Sequence, residues 1–142
     1  MMHLQLITLT GVSIDKDVYE LMAPTTAGDI AVFPGHEALV TMAAPGVLAV
    51  RNEKSDKDEK LEYFAISGGI IEINPKYVRV LVDEADAGAD ITEAESTAAL
   101  NRAMKMRDNA TSQVDIEKAV QLITQSQVRL RVADLQRRRR RS

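Results

Sequence analysis

The sequence contains no cysteine and no tryptophan, and aromatic residues make up only 4% of its 142 positions. The absence of cysteine excludes disulfide bridges, thiolate zinc sites and cysteine nucleophiles. The shortage of aromatic rings argues against a surface that stacks on sugars or on single-stranded nucleic acid, since both need flat rings. The apolar fraction of 45% is nevertheless enough for a modest core.

Long apolar runs are also missing. Pro45 and Gly46 interrupt one apolar stretch, and Gly68 and Gly69 interrupt another, so no segment approaches the roughly 20 residues that cross a bilayer. The first eight residues have no basic segment ahead of their apolar ones, which is not typical of a signal peptide. We therefore expect a soluble protein on the cytoplasmic side of the membrane.

The net charge of −3 hides an uneven distribution of charge along the chain. Residues 1–90 carry 7 Lys and Arg against 15 Asp and Glu, a net charge of −8. Residues 91–142 carry 11 against 6, a net charge of +5. Opposite signs predict two surfaces with different partners, or two halves that fold onto each other.

Up to residue 87 the pattern predicts short strands separated by turns, without helical periods between them. Such spacing favours an antiparallel β-sandwich or flattened barrel over a parallel α/β fold. The predicted strands lie at Leu4–Ile7, Val18–Met22, Ile30–Phe33, Val47–Arg51, Leu61–Ile66, Ile70–Ile73 and Val78–Val82. The nearly all-charged segment 52–60 between two of them is predicted to be a solvated loop.

From residue 88 to residue 142 the period changes to that of helices. Thr92 and Glu95 fit a capping box, which predicts a helix that ends at residues 108–112. Ser112 or Asp115 then caps a second helix. The apolar stripes are Ala99, Leu100, Ala103 and Met104 in the first helix and Ile116, Ala119, Val120, Ile123, Leu130 and Ala133 in the second. These stripes are thin, so we expect the hairpin to lean on the sheet or on another protein, and to be able to change partner.

Motifs for catalysis or metal binding are weak. His3 and His36 are the only histidines and have no metal-ligand spacing, and Ser67-Gly68-Gly69 lacks the pattern of a phosphate loop. The acids between Asp83 and Asp86 leave a small hydrolase open as an alternative, although a solvated strand edge fits them better. His36 follows the stiff turn Pro34-Gly35, so we interpret it as a displayed contact residue.

The run of five arginines at residues 137–141 is the strongest charge feature. It is typical of a frayed tail, and it leaves open a second alternative, a β-sandwich module that binds nucleic acid or anionic surfaces. No aromatic residue is interleaved with the arginines, so dedicated nucleic-acid recognition is not favoured. An acidic protein partner fits the run better.

Four motifs occur in order along the chain: the segments at residues 28–41, 43–48, 66–75 and 78–85. In this order and at these distances they resemble the epsilon subunits of F-type ATP synthases, and the similarity extends through the helical hairpin. The resemblance implies a central-stalk rotor subunit without catalytic residues, metal or cofactor. Its partners would be the gamma subunit, the c-ring and the alpha/beta catalytic head, at the cytoplasmic face of the cell membrane.

The resemblance also implies roles for particular residues. The sandwich, residues 1–87, would contact gamma and the c-ring, and Asp29 and His36 would lie in loops that face the ring. The hairpin, residues 88–142, would either fold onto the sandwich or extend into the head, where its basic residues would meet an acidic segment and restrain ATP hydrolysis. The inhibitory or docking residues would be Arg129, Arg131, Arg137, Arg138, Arg139, Arg140 and Arg141.

One departure from the family pattern generates a prediction. Members that bind ATP on the hairpin carry Ile-Asp-x-x-Arg-Ala, whereas this chain has Thr92, Glu95 and Ser96 at the Asp, Arg and Ala positions. An acid in place of a phosphate-facing arginine repels a nucleotide. We predict no binding when millimolar ATP is titrated into the isolated chain, and a saturable spectral shift in the hairpin would contradict this.

Overall fold

The structure, a computed structural model, describes residues 1–140. Ten strands are followed by two helices in this part of the chain: β1 Met2–Thr8, β2 Gly11–Val18, β3 Glu20–Thr25, β4 Gly28–Val32, β5 Leu39–Ala43, β6 Gly46–Arg51, β7 Glu62–Ile66, β8 Gly69–Ile73, β9 Tyr77–Val82, β10 Ala85–Ala87, α1 Glu93–Asn109 and α2 Gln113–Arg140. The predicted fold class, a β-sandwich or flattened barrel with a C-terminal helical hairpin, is confirmed. The division into two domains at residues 87 and 88 stays a prediction.

Three pairs of strands are continuous through a shared bend, which we call the corner. β5 passes into β6 through residues 44–45, β7 into β8 through residues 67–68, and β9 into β10 through residues 83–84. Hydrogen bonds hold the bend, because the Glu84 N–H donates to Ser67 Oγ at 2.9 Å and the Ser67 N–H donates to the Glu84 carbonyl at 3.0 Å. The corner folds one sheet into two facing layers, β4-β3-β6-β7-β10 and β5-β8-β9-β1-β2.

The core lies between these layers. Alternate residues of the strands point inward, so Leu4 and Leu6 of β1 and Val78 and Val80 of β9 are fully buried. The strand pairs in residues 1–140 are antiparallel, as predicted, apart from β1 with β9, which are parallel. A parallel pair needs a long connection, and here it spans β2 to β8.

The seven predicted strands do not include β2, β5 or β10, and one of them has a wrong boundary. The structure divides the predicted strand Val18–Met22 between the end of β2 and the start of β3, with Tyr19 at the junction. β2 itself carries Asp15, Lys16 and Asp17, which hid it from a search for apolar alternation. It lies at the edge of its layer, where charged side chains reach water and discourage pairing with another chain.

The charged segment between β6 and β7 is largely exposed, as predicted, but it is not loose. Arg51 donates hydrogen bonds to the buried Glu20 at 2.8 Å, to the Asp56 carbonyl at 2.7 Å and to Asp58 at 2.7 Å. A short 3-10 turn at Asp58–Lys60 completes the segment and contacts α2. Arg51 therefore gives this loop a defined position beside the hairpin.

Both helix starts follow the predicted capping residues. The Glu95 N–H donates to Thr92 Oγ1 at 3.3 Å, and the Asp115 N–H donates to Ser112 Oγ at 3.2 Å, so Ser112 rather than Asp115 caps α2. Ala103, Ala119, Ile123 and Ala133 of the predicted stripes are buried. Ile116 and Val120 are exposed instead, because the part of α2 that carries them extends past the sheet.

Gly69 at the corner is required by a close backbone approach. A Cβ at this position would lie 2.0 Å from the Leu81 carbonyl oxygen of the neighbouring strand, whereas at Gly68 the nearest atom would be 3.3 Å away. We predict that Gly69→Ala lowers the free energy of unfolding by about 3 kcal/mol and Gly68→Ala by about 1 kcal/mol or less. Urea denaturation followed by circular dichroism measures both, and equal losses would contradict the structure.

Candidate functional site

The outer face of the β5-β8-β9-β1-β2 layer carries a continuous line of apolar side chains, which we call the apolar row. Strand register places Met42 beside Ile70, Ile70 beside Leu81, Leu81 beside Ile7 and Ile7 beside Val12. Met42 is 61% exposed, Val12 58% and Ile70 47%. Apolar side chains of one face rarely line up across five strands unless a partner covers them. The apolar row is therefore a candidate subunit interface.

The turns near the corner form an acidic surface. Asp29 is the second residue of β4 and lies opposite Pro24, whose carbonyl accepts a hydrogen bond from the Ala44 N–H at the corner. Asp83 and Glu84 lie in the corner itself and are exposed. The turns at residues 8–11, 26–29, 44–46, 67–69 and 83–85 contain these three acids and no basic residue. This surface complements a basic partner.

His36 does not lie near Asp29 at the corner. It lies in the loop after the other end of β4, where Gly35 donates to the Pro75 carbonyl at 3.1 Å in the turn between β8 and β9. Strand β4 thus separates the two predicted ring-facing residues, with Asp29 at its start and His36 in the loop beyond its end. His36 is half-buried, with Nδ1 2.7 Å from the Glu37 carbonyl oxygen. A single flat contact at the corner would include Asp29 without His36.

The His3 side chain links β1 to β2. Its Nδ1 lies 2.8 Å from Asp17 and its Nε2 contacts Asp15, and these hydrogen bonds raise the pKa of His3 above its usual 6.5. The ion pairs of protonated His3 with Asp15 and Asp17 are fully formed below pH 6.5, and they weaken as the pH rises through the raised pKa of His3. Both ring nitrogens are occupied, and residues 1–140 contain no group of three His, Asp or Glu arranged to hold a metal ion.

The hairpin covers the outer face of the other layer. Ala49 of β6 and Ala65 of β7 point away from the core, yet both are buried, because α2 lies across them. Ala65 shares a small space with Gln125 and Val128 of α2, and Val132 is fully buried. A Cβ on Gly88 would lie 3.2 Å from Val132 and 3.0 Å from the Tyr63 carbonyl. Small residues of the sandwich, and Gly88 where the chain leaves it, therefore allow the helix to approach closely.

Polar contacts flank this apolar contact. Arg129 donates two hydrogen bonds to Asp86 Oδ2, at 2.7 and 3.1 Å, and Asp86 is the register partner of Ala65. One turn earlier along α2, Gln125 donates to Glu84. The acids of the Asp83–Asp86 segment that suggested a hydrolase thus include two that hold the hairpin. Sequence reasoning missed this use, because only the register of β10 beside β7 reveals it.

The arginine run is partly engaged within the hairpin. Arg137 contacts Glu93 of α1 at 3.2 Å and also Asp134, and Arg138 contacts Asp134 at 3.1 Å. Arg139 lies near Glu62 of β7. Partial burial acts to raise the pKa of Glu62, but hydrogen bonds from Asn52 and Lys16 and the nearby charge of Arg139 together lower it. Arg131 is exposed on α2. Helix α2 ends at Arg140, and Arg141 lies outside the described residues.

The two helices of the hairpin pack through small side chains. Ser96 and Ala103 of α1 are buried, as are Ala119, Ser126 and Ala133 of α2. Short side chains let the two helix axes approach closely, but each of them buries little apolar area. Helix α1 packs chiefly on α2. No helix within residues 1–140 is long and apolar enough to cross a membrane.

Comparison with known proteins gives this arrangement a family. Residues 1–88 match the model of the ATP synthase, Delta/Epsilon chain, beta-sandwich domain. A protein named ATP synthase epsilon chain from Polaromonas naphthalenivorans is 41% identical over 96 residues, which cover 68% of this chain and 67% of the relative. The chain belongs to the ATP synthase epsilon-chain family. An ATP synthase epsilon chain from Nitrosococcus oceani is 30% identical over 118 residues, 83% of this chain and 81% of the relative.

Solved structures agree with the epsilon-chain fold. A chain in the Euglena gracilis mitochondrial ATP synthase, a structure of OSCP, F1 and the c-ring, has a TM-score of 0.75 at 23% identity, covering 89% of this chain and 77% of that one. A chain in the Tetrahymena thermophila mitochondrial ATP synthase central stalk and c-ring has a TM-score of 0.59 at 12% identity, covering 92% and 94%. At such identities the likeness shows the fold.

The Arg129–Asp86 contact generates a testable prediction about docking of the hairpin. Arg129→Glu should lower the docking equilibrium constant about two- to fivefold, because a partly exposed ion pair contributes ~0.5–1 kcal/mol. Asp86→Arg combined with Arg129→Asp should recover most of the loss. Because the chain has no cysteine, two introduced cysteines at the exposed Lys54 and Lys118 can carry distance labels.

The matched control for this experiment is Arg131→Glu. It makes the same charge change on an exposed residue of α2, so the docked fraction should not change. Equal effects of the Arg129 and Arg131 substitutions would show that net charge, and not the ion pair, governs docking.

Proposed function

We propose that this F-type ATP synthase subunit is a non-catalytic part of the central stalk, which passes rotation of the c-ring to the catalytic head. The observation that carries the proposal is the apolar row, an uncovered line of large apolar residues on a sandwich whose opposite face is already covered by its own hairpin. A subunit that transmits torque needs two firm contacts on different sides. The apolar row and the acidic corner are two such surfaces.

The apolar row is the proposed contact with the gamma subunit. Five residues from five strands present a rigid surface, so docking on it orders few side chains. Next to the row, Arg79 contacts Glu72 at 3.2 Å and Gln5 at 3.2 Å, which provides a polar border. An apolar centre with a polar border is the usual composition of a stable protein interface.

Asp29 at the acidic corner is the proposed contact with the c-ring. It is exposed, and Asp83 and Glu84 extend the same negative surface. His36 facing the same ring surface stays a prediction, and its position at the other end of β4 does not support it. The complex would hold this chain peripherally at the cytoplasmic face of the membrane, with the corner toward the ring.

The hairpin is the proposed regulatory element. In the docked form Arg129 is neutralised by Asp86, and Arg137 and Arg138 by acids of the hairpin itself. If an acidic segment of the catalytic head competes for Arg129, Arg131 and residues 137–141, the hairpin can exchange one set of acids for another. Such an exchange needs only a small free-energy difference between two dockings. These intramolecular pairs also weigh against a dedicated nucleic-acid tail.

The proposed gamma contact is tested by a charge in the apolar row. Ile70→Asp should lower assembly of the chain into the purified ATP synthase at least tenfold, since burying an unpaired carboxylate costs several kcal/mol. Val114→Asp is the matched control, because Val114 is 60% exposed but lies on α2. Quantitative immunoblotting of the purified complex measures assembly. Normal incorporation of the Ile70 variant would overturn the assignment of this face.

The proposed regulatory role is tested by deleting residues 88–142. The sandwich keeps its apolar row and its acidic corner, so assembly and proton-driven ATP synthesis should remain largely intact. ATP hydrolysis by the assembled enzyme should rise about twofold, the factor expected if about half of the complexes hold an inhibiting hairpin. An unchanged hydrolysis rate with normal assembly would refute the restraint and leave the stalk role standing.

A further inference from the structure

A cleft of about 580 Å³ lies between the hairpin and the corner of the sandwich. Val120, Gln121, Thr124 and Gln125 of α2 form one wall. The other wall is formed by corner residues, chiefly Met42, Pro45, Ser67, Gly68, Asp83 and Glu84. The cleft is therefore shared between the two parts of the chain and borders the contact that docks the hairpin, since Gln125 and Glu84 belong to both.

The bend of the strands explains why the cleft exists. Beside Ala65 the helix lies directly on β7, and the Gln125–Glu84 contact marks the edge of the corner. Beyond it the strands turn into the other layer, while α2 continues toward Gln113. Val120 stays 45% exposed, and Met42, the end of the apolar row, is 61% exposed on the opposite wall. The folded chain thus leaves apolar groups of both walls uncovered.

The charge of the cleft selects its occupant. Asp83 and Glu84 line it, and no Lys, Arg or His among the described residues does. Glu84 accepts a hydrogen bond from Gln125, whereas the Asp83 carboxylate has no hydrogen-bond or ion-pair partner among the side chains that the structure describes, those of residues 1–139. A like-charged occupant such as a nucleotide phosphate is repelled, and a cationic group beside apolar ones is complementary.

We propose that this cleft binds a segment of a neighbouring ATP synthase subunit that carries a basic side chain next to apolar ones. The apolar part covers Met42 and Val120, and the basic group pairs with Asp83. Because the segment touches the sandwich and the hairpin together, it binds the docked form preferentially. By linkage, assembly then stabilises the docked hairpin, and docking strengthens assembly. The inference rests on the chain working inside the assembled synthase.

The test uses the purified, assembled synthase with a photo-cross-linking benzoylphenylalanine at Gln121. We expect a cross-link from Gln121 to one neighbouring subunit. The same group at Gln127, which is exposed on α2 and does not line the cleft, should give little product. Asp83→Lys should lower the Gln121 cross-link roughly fivefold, the effect of exchanging one exposed charge pair for a repulsion.

The control for charge is Glu53→Lys, which makes the same change in the exposed loop after β6 and should leave the cross-link unchanged. Assembly is measured in parallel by immunoblotting, so loss of the stalk position is distinguished from loss of the cleft contact. An assembled complex without a Gln121 cross-link overturns the proposal. So does a cross-link that Asp83→Lys and Glu53→Lys affect equally.

Discussion

The bend shared by three paired strands is the constraint on which the rest of this structure depends. Gly69 can approach the Leu81 carbonyl only because it has no side chain, and the Ser67–Glu84 hydrogen bonds hold the turn on either side. Because the sheet bends here, it closes around a core and presents two outer faces in different directions. One face receives the hairpin, the other keeps its apolar row, and the acidic turns collect at the bend between them.

Docking of the hairpin is weaker than the packing inside the sandwich. The core joins many fully buried Leu, Ile and Val residues, whereas the contact under α2 relies on Val132, two alanines and a few polar pairs. Burial of about 25 cal/mol per Å² gives small residues little stabilisation, and partly exposed ion pairs add less than about 1 kcal/mol each. A hairpin held in this way can leave without unfolding the sandwich.

The sequence predicted local structure better than it predicted surfaces. Strand alternation, the Thr92 cap and the small-residue stripe at Ala103 and Ala119 depend on neighbours in sequence, and the structure confirms them. The apolar row depends on the register of five strands, and Asp86 matters because β10 pairs with β7, so neither follows from spacing along the chain. The separation of Asp29 and His36 could not be predicted for the same reason. The two residues are close in sequence, but strand β4 carries the chain away from the corner between them.

Native-state hydrogen exchange of the isolated chain tests most directly whether the hairpin opens separately from the sandwich. We expect amides of α2 around Ile123–Ala133 to exchange through an opening several kcal/mol less costly than that of β1, β8 and β9, as for a cooperative unit of low local stability. Exchange of α2 and of the central strands with the same opening free energy would show one cooperative unit, and would contradict a hairpin that moves between two dockings.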